Sequence, residues 1–175
     1  MKYALIFIFI CFCSAAFSQT DSDLQLAQHY YGKGSFDKAL EYYEKIYKEA
    51  PSLVIFKKYY ECLIETKDYK QAEKVLKKEI SKTSESLDLK LQLAAFYSDR
   101  GQGTKSKKIY ESLIENKTNT PAQCISLFNS FLVMSDLDYA ARVLGISKKK
   151  FKSYPFNFQE ADLYAQKQEK GNMIE

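Results

Sequence analysis

LAQHYYGKGSFDKALEYY, residues 26–43, holds a small residue inside each of two amphipathic stretches, Ala27 and Ala39, with a glycine turn at Gly32-Lys33-Gly34 between them. Two helices that close on one another across small side chains, hinged at a glycine, account for this pattern. The pattern recurs. Ala39, Ala72, Ser106 and Ala140 follow one another at intervals of 33, 34 and 34 residues, each three residues after Phe36, Tyr69, Gly103 or Leu137. Three further columns keep the same phase: Leu26, Tyr59, Leu93 and Leu127; Tyr30, Leu63, Tyr97 and Phe131; Tyr43, Leu76, Tyr110 and Leu144. Unrelated amphipathic helices would not hold one register through four successive units, so a fixed period of this length predicts stacked helical hairpins, each burying the apolar face of its neighbour.

In the first unit the run Leu26, Ala27, Tyr30, Gly34, Phe36, Ala39, Tyr43 and Pro51 resembles the tetratricopeptide repeat, a helix-turn-helix of about 34 residues. The third unit keeps Leu93, Ala94, Tyr97, Gly101 and Tyr110 but has Gly103 and Ser106 where an aromatic residue and alanine are usual. The second carries Tyr60 and Lys67 at the small and turn positions, and the fourth carries Phe128 at the small position. The resemblance implies an all-α fold, a right-handed superhelical solenoid, with four repeats at about 20–52, 53–86, 87–120 and 121–154. After Pro155, Phe158, Ala161 and Ala165 continue the first-helix pattern, and Gly171 to Glu175 read as a turn opening the next helix, so residues 155–175 are expected to be part of a fifth repeat. Small residues at Ala27, Ala39, Ala72 and Ala94 let helices approach, while the tyrosines fill the wedges between pairs. Most of the repeat tyrosines are thereby assigned to packing and not to a stacking surface for bases or sugars.

Lys2, an apolar run from Tyr3 to Cys13 and Ser14-Ala15-Ala16-Phe17-Ser18 read as a secretory signal over residues 1–18, cleaved after Ser18 or kept as an anchor. Neither Cys11 nor Cys13 follows the small residues of a lipoprotein signal, and Cys62 and Cys124, two repeats apart, are expected as buried core thiols without a disulfide. The expected location is therefore the periplasm or cell envelope, with no membrane-spanning helix after cleavage.

Lysine clusters such as Lys57-Lys58, Lys77-Lys78, Lys107-Lys108 and Lys148-Lys149-Lys150 contribute to a formal charge of +4, but Glu41, Glu44, Glu73, Glu79 and Glu111 share the same second helices. Interspersed signs describe solvated helix faces, and no nucleic-acid partner is expected; the run from Lys148 to Lys152 alone is basic enough to warrant a binding test on anionic surfaces. Catalytic constellations are missing. His29 is the sole histidine, Cys62 and Cys124 have no CxxC partner, and the glycines at 32–34 and 101–103 fall between helices with no preceding strand. Glu61 and Glu65, with Lys57, form a charged stripe and not an acid–base pair. No enzyme activity, cofactor or metal is expected.

The resemblance implies that first helices line a concave face that takes peptides or helices. Carried onto this sequence, the inward positions are Leu24, Gln28 and Tyr31; Lys57, Glu61 and Ile64; Leu91, Ala95 and Ser98; Ile125, Asn129 and Leu132. Family members that clamp a terminal carboxylate use several lysine, arginine and asparagine residues there; Lys57 and Asn129 alone match, so an apolar or amphipathic segment is the better expectation. Two functions remain open: an envelope scaffold that holds a protein partner, or the docking part of a larger exported enzyme. The inward face could equally be covered by further repeats.

Overall fold

The structure, a computed structural model, describes residues 22–83 and 86–172, and every regular element among them is an α-helix. In chain order these are α1 (22–32), α2 (Phe36–Glu49), α3 (Leu53–Glu65), α4 (Tyr69–Lys82), α5 (Leu87–Ser98), α6 (Gly103–Asn116), α7 (Pro121–Val133), α8 (Leu137–Lys150) and α9 (Asn157–Asn172). The leader read at residues 1–18 and the segment 173–175 lie outside the described residues.

The period seen in the apolar columns governs the helix ends as well. Ser52, Ser86 and Thr120 stand 34 residues apart, immediately before α3, α5 and α7. Their hydroxyls accept the backbone N–H of Ile55, Leu89 and Gln123 at 3.3, 3.4 and 3.2 Å, satisfying donors that the first helical turn leaves without partners. Between the two helices of each hairpin the chain reverses through one left-handed residue: Gly34, Lys67, Gly101 and Ser135 have φ of 71°, 62°, 67° and 57°. After it, the N–H groups of Ser35, Gln102 and Asp136 reach back to the carbonyls of Tyr30, Tyr97 and Phe131, each at 2.9 Å, the bond that closes a helix C-terminus ahead of a sharp turn.

The chain divides into two compact units, one up to Glu79 and one from Ile80, within α4. In the first, Ala27, Ala39 and Ala72 are fully buried, and Tyr43, Tyr47, Phe56, Tyr59, Leu63 and Leu76 fill the space around them. Asp23 on α1, itself buried, accepts a hydrogen bond from Lys45 of α2 at 2.6 Å, so the charge is paired as its burial requires. In the second unit one cluster joins Leu91 and Ala94 of α5, Tyr110 and Leu113 of α6, Leu127, Phe128 and Phe131 of α7, Ala140 and Val143 of α8, and Phe156 ahead of α9. Tyr60 and Phe128, the bulky residues at small positions, are buried like the alanines they replace. Tyr110 meets Phe131 edge-on at 5.1 Å between ring centres, and Tyr139 at 4.7 Å, the arrangement that ring quadrupoles favour. Tyr43, Tyr59 and Tyr110 are packing residues, as their columns require.

The C-terminal segment departs from expectation. α9 runs on through Gly171 and Asn172, where a turn is expected, because nothing in Gln166 to Lys170 ends a helix and a single glycine costs a helix only about 1 kcal/mol. Phe156 and Leu163 hold α9 to the core, while Phe158 is 81% exposed and Tyr164 66%.

Candidate functional site

The first helices of the hairpins carry two distinct surfaces, one in each unit. In the first unit Tyr31, at the end of α1, donates its hydroxyl to the Glu61 carboxylate of α3 at 2.7 Å, and Lys58 donates to the same carboxylate at 2.9 Å while its ammonium sits 4.1 Å from the centre of the Tyr31 ring. Lys58, one turn before Glu61 on the same face, is the cation that pairs with this carboxylate. Burial would raise the Glu61 carboxyl, but the hydrogen bonds from Lys58 and Tyr31 outweigh it and hold the group below its ordinary range. Those same bonds push the Tyr31 hydroxyl and the Lys58 ammonium upward, the first chiefly through Glu61 and the second through Glu61 and then Tyr31. Every group is thereby fixed in its neutral-pH charge state, the reverse of what a general acid or base needs. Of the residues expected to face inward in this unit, Tyr31 and Glu61 are brought together. Gln28 and Lys57 are exposed, and Leu24 and Ile64 are half-buried.

In the second unit a groove of about 550 Å³ opens between α5 and α7. Asp88, Leu91, Gln92 and Ala95 form its α5 wall; Ser126, Asn129, Ser130, Val133 and Met134 form the other. Both walls follow the i, i+3, i+4, i+7 spacing of a single helical face. Leu91 is 4% exposed and belongs to the core, so the groove's base is continuous with the packed interior, whereas Val133 is 86% exposed at its rim. Ser130 donates its hydroxyl to the Ser126 carbonyl at 3.0 Å. Asp88 is the single charged side chain in the lining.

Leu91, Ala95 and Asn129, expected from the sequence to face a partner, all line this groove. Ser98, exposed at the end of α5, does not, and neither do Ile125 and Leu132. Ile125 packs half-buried against the core and Leu132 is a member of it, because on α7 the face turned to the groove is 126, 129, 130 and 133, one residue away from 125 and 132. Ser126, Ser130 and Val133 were legible in principle, since an apolar Val133 in register with three polar positions marks a helix face outside the core columns.

The remaining candidates for chemistry are spread apart. His29 is exposed and edge-on to Tyr30 at 5.6 Å. Cys62 and Cys124 are free thiols inside the core, and burial pushes the Cys62 thiol up to about 11, so it stays protonated and unreactive at neutral pH. Among the described residues no cluster of three or more metal-binding side chains forms, and no helix is long and apolar enough to cross a membrane. In the basic run, Lys148 is paired with Glu160 of α9 and Lys150 donates to the Asn119 side chain at 3.0 Å.

No protein-family model matches the chain, and no curated protein does. The fold is nevertheless similar to a solved one, a tetratricopeptide repeat protein from Parabacteroides merdae ATCC 43184, at a TM-score of 0.51 and 12% sequence identity. The match covers 87% of this chain and 61% of that one, so the chain spans less than two thirds of the protein it resembles. At this identity the likeness is one of fold, helical hairpins packed in series as in that tetratricopeptide repeat protein.

Proposed function

We propose that the chain is a non-enzymatic scaffold of the tetratricopeptide type, exported to the cell envelope, which holds a segment of a protein partner along its first helices and supports assembly of an envelope complex. The observation that carries this reading is the α5/α7 groove. Val133 is left in water at its rim, and Leu91, Ala95 and Met134 offer an apolar bed beside it. Gln92, Ser126, Asn129 and Ser130 ring that bed with amide and hydroxyl groups, which can bond a peptide backbone without demanding charge from it. A segment with apolar side chains gains by covering this bed, and few groups must be desolvated at a loss. The fold likeness supports the same reading, since serial helical hairpins expose extended surfaces suited to binding and concentrate no catalytic groups. Export rests on the apolar leader and its small residues at Ala16 and Ser18.

A photo-crosslinking side chain placed at Val133 is expected to capture one defined envelope protein, with capture lost when Ala95 is changed to glutamate and helicity is unchanged. The same adduct from a probe at Lys149, or an adduct indifferent to Ala95→Glu, rejects the groove. Export is checked separately: envelope fractions should yield a mature chain beginning at Gln19, and an uncleaved cytoplasmic chain rejects it.

A further inference from the structure

A second cleft opens on the other side of α5. Positions 88, 91, 92 and 95 of that helix face the α5/α7 groove, whereas Lys90 and Leu93 look away from it. With Ile80 and with Lys108, Ile109, Ser112, Leu113, Asn116 and Lys117 of α6 and its C-terminal end, they enclose about 600 Å³, within the roughly 300–1,000 Å³ of ordinary ligand sites. Its floor belongs to the core pattern. Leu93 shares a column with Leu26, Tyr59 and Leu127, which are 37%, 2% and 0% exposed, and is itself half-buried. Ile80 and Ile109 beside it are half-buried too.

The rim is cationic. Lys90, Lys108 and Lys117 border the cleft, and among the described residues no carboxylate lines it. Lys90 and Lys108 make no ion pair among the described residues, while elsewhere in the same unit Arg142 is held by Glu111 and Lys148 by Glu160. Glu111, one turn along α6 from Lys108, is therefore already engaged. Two costs coincide at the cleft, apolar surface facing water and the like charges of Lys90 and Lys108 beside it, and one kind of ligand relieves both.

We propose that this cleft is a docking site for a short acidic segment of a partner protein, one that seats an apolar side chain on Leu93, Ile109 and Leu113 and presents carboxylates to Lys90 and Lys108. Cations on two helices around one floor match carboxylates spaced along a peptide better than the single head group of a fatty acid. The site is separate from the α5/α7 groove and stands whether or not that groove is occupied.

The test uses the whole chain and a fluorescein-labelled synthetic peptide, Glu-Glu-Leu-Phe-Glu-Glu, followed by anisotropy at about 50 mM salt, where exposed charges are weakly screened. Saturable binding is expected, weaker by about tenfold or more for Gln-Gln-Leu-Phe-Gln-Gln and for Glu-Glu-Ser-Ser-Glu-Glu. The double variant Lys90→Glu, Lys108→Glu should lose the acidic peptide by a similar factor and gain Lys-Lys-Leu-Phe-Lys-Lys, a swap that a damaged fold cannot produce. The proposal is overturned by no saturation up to millimolar peptide, by equal binding of the glutamine peptide, or by a charge-reversed variant that still prefers the acidic one. Binding of dodecanoate in place of the peptide also overturns it and assigns the cleft to a fatty acid.

Discussion

At the scale of single residues, the four turn positions separate conformation from packing. A Cβ added at Gly34 or Gly101 would meet nothing within 4 Å, so the need for glycine there is wholly one of backbone: both have positive φ, which a side chain strains. Gly101→Ala should therefore cost about 1 kcal/mol in urea unfolding despite the open space around it. Lys67 and Ser135 hold the same conformation with side chains present. Lys67→Gly and Ser135→Gly should accordingly raise stability by about 0.5–1 kcal/mol each, and a loss on either substitution would mean that the side chain contributes more than the turn costs. Gly34 and Gly101 are visible as turns in the sequence; Lys67 and Ser135 are not, because nothing in a lysine or serine announces a left-handed backbone and only their place in the period does. Glu61 offers a pH test. Its folded-state carboxyl lies below the ordinary value because the Lys58 and Tyr31 bonds outweigh its burial, so its contribution is complete above the unfolded value of about 4.3 and is lost as pH falls through the lower folded value. Glu61→Gln should cost at most the roughly 1 kcal/mol of a surface pair near neutral pH, and thermal melts of the two proteins should converge in strong acid. A difference that grows on acidification would refute the assignment.

At the scale of helices, the caps of α3, α5 and α7 form a column as regular as the apolar ones. Ser52, Ser86 and Thr120 each close the same first-turn donor, so Thr120→Ala should lower stability by about 1 kcal/mol, and Thr120→Ser should restore most of it. An effect confined to α7, read by hydrogen exchange at its first turn, would mark the cap as the cause. Side-chain spacing made the existence and order of these helices readable, since the columns repeat four times. Their rotation about their own axes was harder to read. Successive residues on a helix turn by 100°, so a shift of one position exchanges a groove face for a core face. On α5 the expected Leu91 and Ala95 lie on the groove, while on α7 Ile125 and Leu132 turn inward and Ser126, Ser130 and Val133 take their place. On α5 two of the three expected positions, Leu91 and Ala95, line the groove and Ser98 does not. On α7 one of the three, Asn129, lines it, while Ile125 and Leu132 pack with the core.

At the scale of the whole chain, the 33- and 34-residue spacing foretells serial hairpins, yet it gives no sign of the division between Glu79 and Ile80, because the columns run through α4 at an unbroken interval. Energetically, a chain of stacked repeats is coupled from neighbour to neighbour and not as one block. Leu127 is fully buried at the centre of the cluster shared by α5, α6, α7 and α8, so Leu127→Ala should cost about 2–5 kcal/mol through lost transfer energy and the cavity left behind. If the two units are also units of stability, that loss will accelerate amide exchange across α5 to α8 and leave the amides of α2 and α3 at their original rates. Equal acceleration in both halves would show that the chain unfolds as a single cooperative body, and that the boundary in α4 has no energetic counterpart.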